Sequence, residues 1–186
     1  MRNLYPALAA LLLFNTPGIA EPLRGTATVI DGDTLEIHGA QIRLYGIDAP
    51  ERGQLCGDAR ERDYPCGRRA AQALIQKVAG AAVTCEPKST TANKRVYAIC
   101  RVGETDLGAW MVRSGLALAN RHVSRRYLPQ EERAWGAKTG LWAGVFEMPW
   151  EWRKQQTAKP THKTASADAP VTGAISSPSA PVADTQ

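Results

Sequence analysis

The sequence predicts a small α+β domain, and three observations predict it. Short β-branched runs alternate apolar and polar residues between tight-turn signals. One apolar pattern at helical spacing interrupts them. Helical segments with their own start and stop residues follow the last run. The chain has 186 residues, enough for one domain with extensions, and its 44% hydrophobic content is enough for a real core.

The first strand is Gly25-Thr-Ala-Thr-Val-Ile30, β-branched and alternating. Asp31-Gly32-Asp33 is a turn signal, with Gly32 available for positive φ. Thr34-Leu-Glu-Ile-His38 alternates again, Gly39-Ala40 is a second turn, and Gln41 to Gly46 is a third strand, completing a meander. Pro50 breaks the pattern, and Arg52 to Pro65 reads as a polar loop flanked by Cys56 and Cys66. Gly67 to Ala79 predicts a helix with Ala71, Leu74, Ile75 and Val78 on one face. Ala82 to Cys85 and Arg95 to Val102 are two strands joined by a polar loop. Asp106 caps a helix running through Arg113, with Gly115 as its stop. Pro129 to Lys138 is the last helix, ended by Gly140 and followed by an aromatic segment with Trp142, Trp150 and Trp152. Five strands and three helices in this order are expected to form a five-stranded barrel of the oligonucleotide/oligosaccharide-binding (OB) type.

The ends read differently. Arg2, the apolar run Leu4 to Phe14, and small residues Gly18 and Ala20 predict a secretory signal peptide over residues 1–20. Residues 21–153 are the expected folded domain. From Lys154 the chain turns to Ala, Pro, Ser and Thr, so residues 154–186 are expected to be a disordered tail. Export places the mature protein in the periplasm or outside the cell, without stable membrane insertion, and in an oxidising compartment. There the four cysteines, Cys56, Cys66, Cys85 and Cys100, suit two disulfides. Three pairings are possible, and the local one, Cys56–Cys66 with Cys85–Cys100, fits the strand assignment. A zinc site is the rival, weakened by the lack of any C-x-x-C pair. The formal charge of +5 and pI of about 9.2 favour anionic partners such as nucleic acid.

Two acidic segments carry the chemistry. Asp31-Gly-Asp-Thr34 sits on a strand turn, and Arg43-Leu-Tyr-Gly-Ile-Asp-Ala-Pro-Glu51 runs off a strand into a Pro-terminated loop. If the strands pair as a meander, both acidic ends meet at one rim of the sheet. Carboxylates with backbone carbonyls suit a hard cation such as Ca²⁺, and an arginine beside them suits phosphate.

These two motifs resemble the thermonuclease (staphylococcal nuclease) family, as do Leu107 to Ala117 and Gly140-Leu-Trp142. The resemblance spans about Gly25 to Trp142. It implies Ca²⁺ held by Asp33, Asp48 and the carbonyl of Ala49, where the family more often has Thr. It implies Glu51 beside the attacking water, and Arg43 and Arg95 on the scissile phosphate. The implied activity is calcium-dependent hydrolysis of DNA or RNA by a monomer, leaving 3′-phosphate ends. One departure stands out: Thr91-Ala-Asn-Lys-Arg95 replaces the family's D-x-Y-G-R, keeping the arginine and losing the acid, Tyr and Gly.

Other residues read as structural. His38, His122 and His162 match no ligand spacing, and Trp110 and Trp135 read as core residues of helices. The basic run Arg121 to Arg126 suits either a nucleic-acid backbone or an ordinary loop. The alternative to an enzyme is a non-catalytic binding module of the envelope, of the kind linked to exopolysaccharide production.

Overall fold

A computed structural model describes residues 21–158 with the exception of Lys94. The expected signal peptide, and the tail beyond residue 158, lie outside the described residues. Among the described residues no helix is long and apolar enough to cross a membrane.

The meander forms as the alternation predicts, with one difference at its start. The first strand is bent at Ala27 into β1 (Leu23–Thr26) and β2 (Thr28–Asp31), followed by β3 (Thr34–Ile37) and β4 (Ala40–Leu44). β2 and β3 pair antiparallel around Gly32-Asp33, and β3 and β4 around His38-Gly39. His38 and Gly39 have φ of 52° and 79°, the combination a two-residue hairpin needs to match strand twist, so this turn lies one residue earlier than Gly39-Ala40. After β4 come the short β5 (Ile47–Asp48), the hairpin β6 (Cys56–Gly57) and β7 (Asp63–Tyr64), and helix α1 (Cys66–Val78).

β8 (Ala82–Thr90) and β9 (Val96–Val102) pair antiparallel. β8 runs through much of the segment expected as a polar loop, because β9 is long enough to pair with it past a bulge between Pro87 and Ser89. Then follow β10 (Thr105–Asp106), α2 (Leu107–Arg113), β11 (Leu118–Ala119), α3 (Leu128–Gly136), a 3₁₀ turn over Gly140–Ala143 and α4 (Pro149–Ala158). Among the described residues there are four α-helices, not three. The fourth lies in the aromatic closing segment and continues past residue 153, although its outer face is polar.

The main sheet runs β1-β8-β9-β4-β3-β2, with β10 on β9. Its two ends, β1 and β2, are separated in the chain by Ala27 alone. A sheet whose edges belong to one bent strand must curl back on itself, as an OB-type barrel does. Leu35, Ile37, Ile42, Leu44, Val83 and Ala98 fill its inside and are essentially inaccessible to solvent. Ala70, Leu74 and Val78 of α1 join this core, but Ile75, placed on the same face by spacing, is exposed.

Both disulfides are the local ones, Cys56–Cys66 and Cys85–Cys100. Cys85 and Cys100 stand directly opposite each other on β8 and β9. Cys56 and Cys66 pin the β6–β7 hairpin to the start of α1, within a second buried cluster with Leu118 and Leu141.

Candidate active site

The two acidic segments meet because of two backbone joints. The amide of Leu44 donates to the Asp33 carbonyl at 2.8 Å, fixing the β2–β3 turn to the end of β4. β5 then pairs with β11, placing Asp48 opposite Leu118. Gly32 is needed here for space: a Cβ on it would lie 2.8 Å from Ala49 Cβ and 2.9 Å from Ala70 Cβ. Its φ is not positive, so the expectation that glycine serves backbone freedom gives way to one of close approach.

Asp33 and Asp48 converge on a single atom. Arg43 Nη2 donates to Asp33 Oδ2 at 2.8 Å and to Asp48 Oδ1 at 2.9 Å. Asp33 also accepts from Thr34 Oγ1 at 2.9 Å and from the Ala49 amide at 3.3 Å. Both carboxylates are buried, at 5% and 1% exposure. Burial, reinforced by the neighbouring Asp48 charge, pushes the Asp33 carboxyl above its ordinary range, against the pull of Arg43. Burial also acts to lower Arg43, but Asp33 and Asp48 outweigh it and hold the guanidinium firmly charged. Arg43 serves two buried anions at once, so its guanidinium is strongly held while Asp33 receives only a share of it.

Glu51 is more open. Its amide donates to Gln54 Oε1 at 3.2 Å, and the Gln54 amide returns to the Glu51 carbonyl at 2.7 Å. Gln54 is fully buried and its Nε2 donates to the Glu147 carbonyl at 2.7 Å. This one side chain therefore ties the Glu51 loop to the segment that leads into α4.

From α4 comes a residue the sequence did not mark. Arg153 Nη1 donates to Asp48 Oδ1 at 2.9 Å and to Glu51 Oε1 at 2.7 Å, while Nη2 donates to Asp48 Oδ2 at 2.7 Å. The hydrogen bond to Asp48 is the main cause that raises the Arg153 pKa. No motif announces Arg153; it is one of two adjacent basic residues, with Lys154, in a helix of weak amphipathic pattern.

Arg95 stands apart. It precedes Val96, which pairs with Ile42, so it lies beside Gln41 and on the same sheet face as Arg43 and Tyr97. That places it two residues, roughly 7 Å along the strand, from the level of Arg43. Arg95 lines a recess with His38, Gln41 and Asn93. Arg43, Asp48, Tyr97, Asn120 and Arg153 line another, of about 200 Å³. The structure thus brings together Asp33, Asp48, Glu51 and Arg43, with Ala49 adjacent, and leaves Arg95 one recess away.

Among the described residues no three Asp, Glu, His or Cys side chains stand ready as a metal cluster. The donor set nevertheless fits a hard divalent cation. It is all oxygen, two carboxylates already converge on one positively charged nitrogen, and Glu51 is linked to Asp48 through a second cation.

Elsewhere the basic run is partly tied down: Arg121 pairs with the buried Glu131 at 2.7 Å, and Arg126 with Asp106 at 3.4 Å. Trp110 packs on the core, whereas Trp135 is 64% exposed and does not.

Residues 41–144 match the profile of the family described as staphylococcal nuclease homologue. The chain is 37% identical over 145 residues to the succinoglycan biosynthesis protein ExoI of Rhizobium meliloti (strain 1021), covering 76% of this chain and 75% of that protein. It is 32% identical over 168 residues to protein ParB of Escherichia coli, covering 80% and 89%. It is 29% identical over 166 residues to a micrococcal nuclease of Shigella flexneri, covering 80% and 90%. With its barrel, its disposed acidic turn and these matches, the chain belongs to the staphylococcal nuclease homologue family.

Proposed function

We propose that the protein is an exported, calcium-dependent nuclease that hydrolyses phosphodiester bonds of DNA or RNA. The observation that carries this reading is the meeting of Asp33 and Asp48 on Arg43 Nη2. Family membership and the similarity to a micrococcal nuclease support it.

Asp33, Asp48 and the carbonyl of Ala49 would hold the calcium ion. When bound, the ion supplies positive charge against the charge that develops on phosphate during attack. The chain's own groups do the rest. Arg43 uses only Nη2 toward the carboxylates, leaving Nε and Nη1 to donate to non-bridging phosphate oxygens. Glu51, partly open to solvent, accepts a proton from an attacking water or orients it. Arg95, on the same face as Arg43, grips the phosphate or the next one along the strand of substrate. In-line attack breaking the P–O5′ bond leaves 3′-phosphate ends. Export agrees with the two disulfides, which persist in oxidising compartments.

A second reading is favoured by the 37% identity to a succinoglycan biosynthesis protein: an envelope module acting in polysaccharide production without nuclease chemistry. Incubating the mature protein with single-stranded DNA, RNA and an acidic polysaccharide, each with Ca²⁺ or EDTA, separates the two. Calcium-dependent fragments ending in 3′-phosphate support the nuclease. Binding of the polysaccharide with intact nucleic acid supports the second reading.

A further inference from the structure

Arg153 lies beyond residue 144, where the match to the family profile ends. Yet it makes more hydrogen bonds to the acidic cluster than Arg43 does. It arrives on α4, which is fixed from both sides. Trp150 packs against the Leu118–Leu141 cluster, and Gln54 holds the Glu147 carbonyl just before the helix. Arg153 and Arg43, not Arg95 and Arg43, share the recess beside Asp48.

We propose that Arg153 is a phosphate-binding residue of this site, giving the recess its second guanidinium from a helix beyond the last residue that the family profile matches. The proposal rests on the nuclease reading above. The geometry leaves donors for it: Arg153 spends both Nη1 protons and one Nη2 proton on Asp48 and Glu51, so Nε and one Nη2 proton stay available among the described residues. Among the described residues Arg43 likewise leaves Nε and Nη1. The two forks line one recess of about 200 Å³, room for a phosphate with part of its sugar.

The charges explain why a phosphate would need both arginines. Asp33, Asp48 and Glu51 against Arg43 and Arg153 sum formally to −3 + 2 = −1. A divalent cation turns this to +1, and an anionic phosphate is then attracted. Without Arg153 the same sum with the cation is 0, and the attraction is lost. Asp48 Oδ1 already accepts from both arginines, so a cation held by Asp48 would compete with Arg153 for that oxygen and would leave more of its guanidinium for the phosphate.

The test is calorimetric titration of the mature protein with thymidine 5′-phosphate, at saturating Ca²⁺ and in EDTA. The proteins are wild type, Arg43→Gln, Arg95→Gln, Arg153→Gln and Arg153→Lys. Tryptophan fluorescence reports whether α4 stays docked through Trp150 and Trp152. The expected result is calcium-dependent binding that Arg153→Gln weakens roughly 10- to 100-fold, the worth of a lost charge-assisted contact. Arg153→Lys recovers part of it, because charge returns without the fork, and Arg95→Gln costs less than Arg153→Gln. Ca²⁺ affinity in the absence of nucleotide stays equal or rises in Arg153→Gln. Nucleotide affinity unchanged in Arg153→Gln but reduced in Arg43→Gln overturns the role of Arg153 and leaves the nuclease reading standing. A loss of nucleotide affinity in Arg153→Gln matched by an equal loss of Ca²⁺ affinity, or by undocking of α4, overturns it as well. Absence of calcium-dependent binding in the wild type overturns both.

Discussion

Gly67 shows how narrowly the site residues are held. A Cβ there would lie 1.7 Å from the Glu51 carbonyl oxygen and 2.4 Å from its carbon, so the first turn of α1 rests directly on the loop that carries Glu51. Gly67→Ala must push that loop or the helix aside. The expected cost is about 1–3 kcal/mol of stability, as for overpacking elsewhere, with cleavage falling further than stability does because Glu51 is displaced. Denaturant unfolding and a cleavage assay on the same preparation check this; unchanged activity with lowered stability would contradict it. At this scale the sequence was partly readable. Asp33, Asp48, Glu51 and Arg43 are marked by two motifs and come together. Arg153 and Gln54 were not readable, since their roles depend on where a polar helix and a loop end up in space. Gly32 was marked, but for backbone freedom when its need is space.

Among the elements, Asp106 is the joint between α2 and α3. It caps α2 by accepting from the Ala109 amide at 3.0 Å. It also accepts the Tyr127 hydroxyl, at 3.0 Å to Oδ1 and 3.1 Å to Oδ2. Asp106→Ala removes a cap worth about 1 kcal/mol and strands a buried hydroxyl at about 1–3 kcal/mol. A loss of roughly 2–4 kcal/mol in urea unfolding is expected; under 1 kcal/mol would contradict it. Burial, with the Asp106 charge, raises the Tyr127 pKa well above its ordinary 10.0. As pH climbs past 10.0 the unfolded tyrosine ionises while the folded one keeps its proton, so stability falls through that window up to the folded pKa. Tyr127→Phe is expected to be less stable at neutral pH and to show a shallower decline above pH 10, measured by unfolding at a series of pH values. The cap at Asp106 was legible from its residue type, whereas Ile75 and Trp135 were not. Spacing put Ile75 on a packed face and helical context put Trp135 in the core, but among the described residues both are exposed.

At the level of the whole molecule, the sheet is curled round so that one bent strand supplies both of its edges, β1 and β2, and it is stapled across its longest pair. The Cys85–Cys100 bridge closes 15 residues of chain, a loop whose constraint is worth about 3 kcal/mol in the chain-entropy model. Replacing both cysteines with serine is expected to lower stability by about that amount, with the register of β8 and β9 intact by hydrogen exchange. The α+β class and the opening meander were legible because alternation and turn residues persist through it, whereas the parallel pairing of β4 with β9 was not. The barrel type was legible too, but the bend at Ala27 that joins β1 to β2 leaves no mark in the pattern, and the fourth helix was hidden by its weak amphipathic signal.

The central claim is that a calcium ion held at Asp33 and Asp48 works with Arg43 to cut phosphodiester bonds. Its most direct test is digestion of single-stranded DNA by the mature protein, with Ca²⁺ or EDTA, beside Asp33→Asn and Arg43→Gln variants shown to be folded. The account predicts cleavage with Ca²⁺ and none in EDTA, with each variant slower by about 10²–10³-fold. Cleavage that persists in EDTA, or that the variants retain in full, would contradict it.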